Sequence, residues 1–172
     1  MSVGAKLDKV LVAEPSLRMC KELKSCKPMQ VRDVMRTKVM SVNVGTSAKA
    51  AFGIMRRGRF RHLPVLDLRG KVAGIVSDRD LRNVVVIYTD PDTGAEDFFV
   101  SADTSVDKLM ATDPVSVAPD DDVATAIKLI RDLRIGCLIV SENDHLVGIL
   151  SYVDLLDMLL NLLNVPDQEI ST

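Results

Sequence analysis

The feature that most constrains this chain is that it repeats itself. Residues 34–81 realign onto residues 109–155 with an offset of 75, which drops to 74 after one deletion in a loop near residues 68–70. Fourteen aligned positions are identical, among them Met35/Met110, Thr37/Thr112, Ser41/Ser116, Val42/Val117, Ala51/Ala126, Leu63/Leu138, Val65/Val140, Gly74/Gly148, Ser77/Ser151 and Asp80/Asp154. The identities cluster at the same punctuation marks in both copies, which is how one supersecondary unit used twice is written. A chain of 172 residues has room for two small units that share a core.

Each copy gives the same order of elements. A short β segment comes first, at residues 39–44 and 115–118. A helix follows, with Ser47 as N-cap before Ala51, Ile54 and Met55, and with residues 120–122 as the cap before Val123, Ala126, Ile127 and Ile130. Two β-branched runs joined by a polar turn come next, at 63–66 with 72–76 and at 137–140 with 146–150. A second helix closes each unit, at 78–86 and 152–163. The fold class is therefore α/β (α+β), as two β-α-β-β-α repeats.

The flanks divide the rest. Residues 1–30 are basic and read as a helical arm broken near Pro15 and Pro28. Repeat one takes residues 31–87 and repeat two 105–164, with a short helix at 105–110 opening the latter. Residues 88–104 read as a linker, and residues 165–172 as a tail. The linker holds Asp90-Pro91-Asp92-Thr93-Gly94, a turn cluster that begins like a calcium loop. The twelfth position of such a loop is Ser101 rather than Glu, so the bidentate ligand is missing and calcium is not expected.

Composition narrows the function. Apolar residues make up 47% of the chain and aromatics 3%, with no Trp. The core is thus aliphatic, and the stacking rings of a single-strand nucleic-acid surface are lacking. The first ten residues carry three charges and no apolar run, so no secretory leader is expected. Asp157, Asn161 and Asn164 interrupt the greasiest stretch, 155–165, which is too short to span a bilayer. Three scattered cysteines, Cys20, Cys26 and Cys137, suit a reducing compartment and read as buried or incidental thiols rather than zinc ligands. The expected location is the cytoplasm.

Charge is unevenly spread. Residues 1–82 hold 18 Lys and Arg against 7 Asp and Glu, and residues 83–172 hold 4 against 17. Such a split fits attraction between the halves, head-to-tail association of two chains, or nucleic-acid binding through the basic half. No recognition-helix signature supports the last. Neither a Ser-His-Asp or Cys-His arrangement, nor a P-loop, nor HExxH is present, so the chain reads as non-enzymatic.

The second β-run of each repeat ends in Gly-x-x-Ser-x-x-Asp: Gly74, Ser77 and Asp80, then Gly148, Ser151 and Asp154. Glycine admits a close approach by backbone or ligand. Serine stands where strand turns into helix. Aspartate lies one helical turn on, where its carboxylate can accept from a vicinal diol such as a ribose. One copy alone reads as a capping box. Two copies in register, in this element order, favour a ligand.

Residues 59–67, Arg-Phe-Arg-His-Leu-Pro-Val-Leu-Asp, followed by Gly74 through Asp80, resemble a CBS domain, and residues 140–154 resemble a second. The chain is thus similar to tandem CBS-domain pairs (Bateman modules), including small stand-alone bacterial proteins of the acetoin-utilisation type. The resemblance covers about residues 31–164. It implies two repeats packed about a pseudo-twofold axis with two clefts between them, and an adenosyl ligand (AMP, ADP, ATP or S-adenosylmethionine) as effector rather than as a required cofactor. It places Ser77, Asp80, Arg61 and His62 in one cleft, with Thr112 to Val115 opposite, and Ser151 and Asp154 in the other, with Thr37 to Val39 opposite. Arg79 is a further candidate, since its counterpart is Val153. Arg61 and His62 correspond to Gly136 and Cys137, so the Asp80 cleft is the expected phosphate site; His62 also reads as a structural histidine. Arg56, Arg57 and Arg59 read as a solvated helix end. Expected partners are an adenine nucleotide, a second copy in a homodimer and an unidentified regulated protein. The alternative is a structural dimerisation module, to which the leucines of the last helix lend support.

Overall fold

The structure is a computed structural model that describes residues 28–100 and 104–163. The expected N-terminal arm, Cys20, Cys26 and the expected C-terminal tail lie outside the described residues, apart from positions 28–30.

In the first repeat, β1 (Val42–Asn43) leads into α1 (Ala48–Gly58), whose Ser47 cap accepts from the Ala50 N–H at 3.2 Å. Helix α1 buries Ala48, Ala51, Phe52 and Met55 against β2 (His62–Leu66) and β3 (Val72–Ser77). The second repeat matches it with β7 (Ser116–Val117), α3 (Val123–Leu133), β8 (Cys137–Glu142) and β9 (His145–Ser151). Asp122 caps α3 by accepting from the Ala124 N–H at 3.0 Å. In both repeats the first strand runs parallel to the second, and the second antiparallel to the third. Register slips at equivalent places, Val65/Leu66 and Val140/Ser141. The first strands are shorter than expected, because hydrogen bonding narrows to two residues each.

The repeats exchange their opening segments. Val31 is fully buried in the core of the second repeat, beside Leu138, Val140 and Leu150. Val106 is fully buried in the first core, beside Leu63, Val65 and Val76. The exchange extends to the sheets. Strand β6 (Ala111–Thr112) pairs antiparallel with β3, setting Ala111 against Ile75. Arg36 pairs with Ile149 through two backbone bonds of 2.9 and 3.0 Å. The motif glycines permit this crossing. A Cβ on Gly74 would stand 2.6 Å from Met110 Sδ and 2.7 Å from the Ala111 carbonyl oxygen. One on Gly148 would stand 2.7 Å from Met35 Sδ. The close approach anticipated for these glycines is made by the partner repeat's opening segment.

Two expectations are corrected between the repeats. The helix placed at 78–86 is only α2 (Asp78–Arg82), and the linker placed at 88–104 is largely a hairpin of β4 (Val85–Thr89) and β5 (Glu96–Val100). The run Val84–Ile87 is entirely β-branched, and such side chains favour the pleated strand over the helix. The hairpin leans on α1 through Arg56–Glu96 and Lys49–Asp97 ion pairs, and Tyr88 meets Phe99 edge to face at 6.4 Å. At its turn, Asp90 accepts from the N–H groups of Asp92 and Thr93, which hold its carboxyl below the usual carboxylate range. The opening helix of repeat two, placed at 105–110, is a 3-10 turn at Val106–Lys108. The last helix, α4 (Tyr152–Leu162), runs eleven residues on Leu, Met, Asp and Asn with Val153 its one β-branched member. Among the described residues no helix is long and apolar enough to cross a membrane.

Candidate functional site: two clefts between the repeats

The motif serines and aspartates form the same device twice. In the first repeat, Asp80 Oδ2 accepts from the Ser77 N–H at 2.9 Å and from Ser77 Oγ at 2.6 Å, while Ser77 Oγ accepts from the Asp80 N–H at 3.4 Å. Ser151 and Asp154 repeat all three contacts. The capping boxes are thus real, and each uses one oxygen of its carboxylate. The other oxygen distinguishes the repeats. Asp80 Oδ1 accepts no hydrogen bond from the described residues. Asp154 Oδ1 is taken by the Arg36 guanidinium, which also reaches Asp157 at 3.3 Å.

Each carboxylate opens onto a cleft. The Asp80 cleft is about 550 Å³, and the Asp154 cleft about 580 Å³, within the range typical of small-molecule sites. Ser77, Asp80, Arg79 and Val115 line the first; Ser151, Asp154 and Val39 line the second. Arg61 and His62 line both, which corrects their assignment to the Asp80 cleft alone. The two residues sit on the seam between the repeats, where a Cβ on Gly136 would meet the His62 ring at 2.6 Å. Thr37 and Thr112 line neither. They alternate with residues that do, namely Arg36 and Lys38 on one side and Ala111 and Asp113 on the other. Both segments bend here: the Val39 N–H donates to the Thr37 carbonyl oxygen at 3.1 Å, and Asp113 has a φ of 53°.

Charge differs between the clefts. The Asp154 cleft presents Arg36, Lys38, Arg59 and Arg61 against Asp154. The Asp80 cleft presents Arg61, Arg79 and Arg134 against Asp78, Asp80 and Asp113. Cations are therefore not confined to the Asp80 cleft, as the sequence comparison of residues 61–62 with 136–137 suggested. Arg59 and Arg134 were missed as lining residues, and Arg59 was placed in solvent. Both are left-handed helix caps, with φ of 54° and 53°. Their identity at aligned positions was the available signal. Burial lowers the pKa of His62 from its ordinary value, with Asp78 and Asp80 pulling weakly the other way, so its imidazole is neutral at pH 7. Its counterpart Cys137 is a buried free thiol, pushed up to about 12 by burial and by the Asp154 charge.

The CBS domain model matches residues 31–87 and 95–161. A CBS domain-containing protein of Dictyostelium discoideum is 29% identical over 80% of this chain and 97% of its own length. A crystal structure described as an acetoin utilization protein (AcuB) of Vibrio cholerae superposes with a TM-score of 0.66, at 29% identity over 85% of this chain and 99% of that one. Two further structures share the fold at lower identity. CBSX2, in complex with AMP, gives a TM-score of 0.64 at 23% identity over 77% of this chain and 97% of that one. The CBS domain pair of protein MJ0100, in complex with 5′-methylthioadenosine and S-adenosyl-L-methionine, gives 0.63 at 17% identity with the same coverage. Some relatives are enzymes of which the chain spans only a part. It is 33% identical to the arabinose 5-phosphate isomerase KdsD of Pseudomonas aeruginosa over 74% of its own length and 37% of the isomerase.

Proposed function

The chain belongs to the CBS domain family, and from that premise we propose that it is a non-enzymatic cytoplasmic sensor module that binds adenosyl ligands between its repeats. AMP, ADP, ATP and S-adenosylmethionine are the candidate effectors. Asp80 and Asp154 receive the ribose hydroxyls, held in place by Ser77 and Ser151. Arg61, His62 and Arg79 face the ligand in the Asp80 cleft, with Val115 on the opposite wall; Val39 lines the cleft of Asp154. Thr37 and Thr112 lie in the segments that carry those walls. AMP in CBSX2, and S-adenosyl-L-methionine in the MJ0100 pair, support the ligand class. The observation that carries the reading is the Oδ1 atom of Asp80. It is an anionic acceptor without a protein donor among the described residues, at the wall of a cleft with three arginines.

A ligand that binds one arrangement of the repeats better than another shifts the balance between them. A homodimer is the natural reader of that shift. Helix α4 and its C-cap leave Leu156, Leu159, Leu160, Leu162 and Leu163 exposed, a face that a second copy would cover. The same face favours the second reading, a dimerisation module without a specific ligand.

Calorimetry with AMP, ATP and S-adenosylmethionine separates the two. The sensor reading expects one of them to bind more tightly than about 1 mM. Removing the carboxylate as Asp80→Ala then weakens binding at that cleft by about 1.5–3 kcal/mol, the worth of hydrogen bonds to a charged group. If none binds in the millimolar range, the dimerisation reading takes its place.

A further inference from the structure

The exchange of opening segments puts Arg36 and Ala111 at equivalent places, each beside the motif aspartate of the other repeat. Arg36 pairs in register with Ile149 and Ala111 with Ile75. The consequence for the carboxylates is opposite. Asp154 has both oxygens occupied, one by Ser151 and one by Arg36, and its side chain is 4% exposed. Asp80 has one oxygen occupied, because alanine at 111 donates nothing. A ribose diol can dock on Asp80 directly. On Asp154 it must first move the Arg36 guanidinium.

Moving Arg36 is feasible but selective. Its side chain is 62% exposed and already shared with Asp157, so the head group can reorient without disturbing the core. Once off Asp154 it lies in a cleft with Lys38, Arg59 and Arg61. Like charges there oppose the displacement, only the exposed Asp157 stays with the guanidinium, and a neutral ligand adds no further compensation. A phosphate does: it matches the guanidinium fork in two parallel hydrogen bonds and offsets the neighbouring cations. The Asp80 cleft imposes no such condition, since its three arginines face three carboxylates.

We propose that the two clefts take different chemical classes. The Asp154 cleft accepts a phosphate-bearing nucleotide, with Arg36 exchanging Asp154 for the phosphate and so releasing the carboxylate for the ribose. The Asp80 cleft accepts an adenosyl group through its ribose, with or without a phosphate. Arg36 is the residue that sets this difference. The assignment rests on the adenosyl-binding reading of the preceding subsection and deepens it.

The test uses AMP and adenosine as probes and calorimetry on the full chain. With the other cleft silenced by Asp80→Ala, AMP is expected to bind at least about tenfold more tightly than adenosine, the discrimination of one charge-assisted contact. Adding Arg36→Ala should bring the two ligands to within about threefold, by raising adenosine affinity and lowering that of AMP. The reciprocal variant does not depend on the folding of that one. With Asp154→Ala silencing its cleft, Ala111→Arg should create a preference for AMP where the unaltered Asp80 cleft has little. Equal affinities for AMP and adenosine in Asp80→Ala, or a preference that survives Arg36→Ala, overturn the proposal while leaving adenosyl binding intact. If the unaltered chain binds neither AMP nor adenosine, nor ATP or S-adenosylmethionine, the sensor reading falls with it.

Discussion

The two repeats agree where they hold each other and differ around the two clefts between them. Val31 and Val106 do the same work in exchanged cores, Gly74 and Gly148 admit the same crossing, and both Ser-Asp capping boxes close with the same bonds. Around the carboxylates the likeness ends. Arg36 faces Ala111, Lys38 faces Asp113, and His62 faces Cys137 across the alignment. A duplicated unit must keep complementary packing, since each core is completed by the other copy. Residues at the cleft mouths carry no such requirement, and they form one cationic cleft and one charge-balanced one.

The comparison can be attacked first at its strongest point, the equivalence of the cores. Leu63 and Leu138 are both fully buried. Truncating either to Ala should cost about 2–5 kcal/mol in denaturant unfolding, and the pair should match within about 1 kcal/mol. A much smaller loss for one would show that the repeats do not share the load. The glycines give a finer comparison. Gly74→Ala and Gly148→Ala should each cost about 1–3 kcal/mol by forcing the opening segment away. Gly74 should cost more, because its Cβ would meet a backbone oxygen at 2.7 Å where Gly148 meets one at 3.1 Å.

Smaller effects address the clefts. Arg59 and Arg134 hold left-handed backbone that glycine adopts without penalty. Arg59→Gly and Arg134→Gly should each raise stability by about 0.5–1 kcal/mol, seen as a higher unfolding midpoint. Arg59→Gly should at the same time weaken AMP binding in the Asp154 cleft, which would place the strain in the service of the ligand. The smallest effect is the pH dependence carried by His62. His62 has a folded pKa below the 6.5 of the unfolded chain, so the unfolded chain takes up the proton more readily. Stability should therefore fall as the pH drops through 6.5 and level off below the folded value. His62→Gln should flatten that slope in pH-dependent melting. Cys137, at about 12, does not titrate in this window.

Much of this was legible in the sequence because its signals are local. Helix caps at Ser47 and Asp122, the β-branched runs, and the Ser-x-x-Asp boxes each depend on neighbours within a few residues. The β4–β5 hairpin carries a local signal as well, the β-branched run at Val84–Ile87, which conflicts with the helix expected over 78–86. The role of Arg36 was not legible. It depends on a contact 118 residues away, made only because the opening segments cross. The placement of Thr37 and Thr112 has the same origin: the path of each opening segment is set by its pairing with Ile149 or Ile75 of the other repeat.

The central claim, that the clefts are adenosyl sites of different character, is tested most directly by methyl NMR on the unaltered chain. Val115 and Ile75 report on the Asp80 cleft, and Val39 and Ile149 on the Asp154 cleft. Adenosine should shift the first pair and leave the second in place, and AMP added afterwards should shift the second pair. Adenosine moving both pairs with one midpoint, or AMP moving only Val115 and Ile75, would contradict the account.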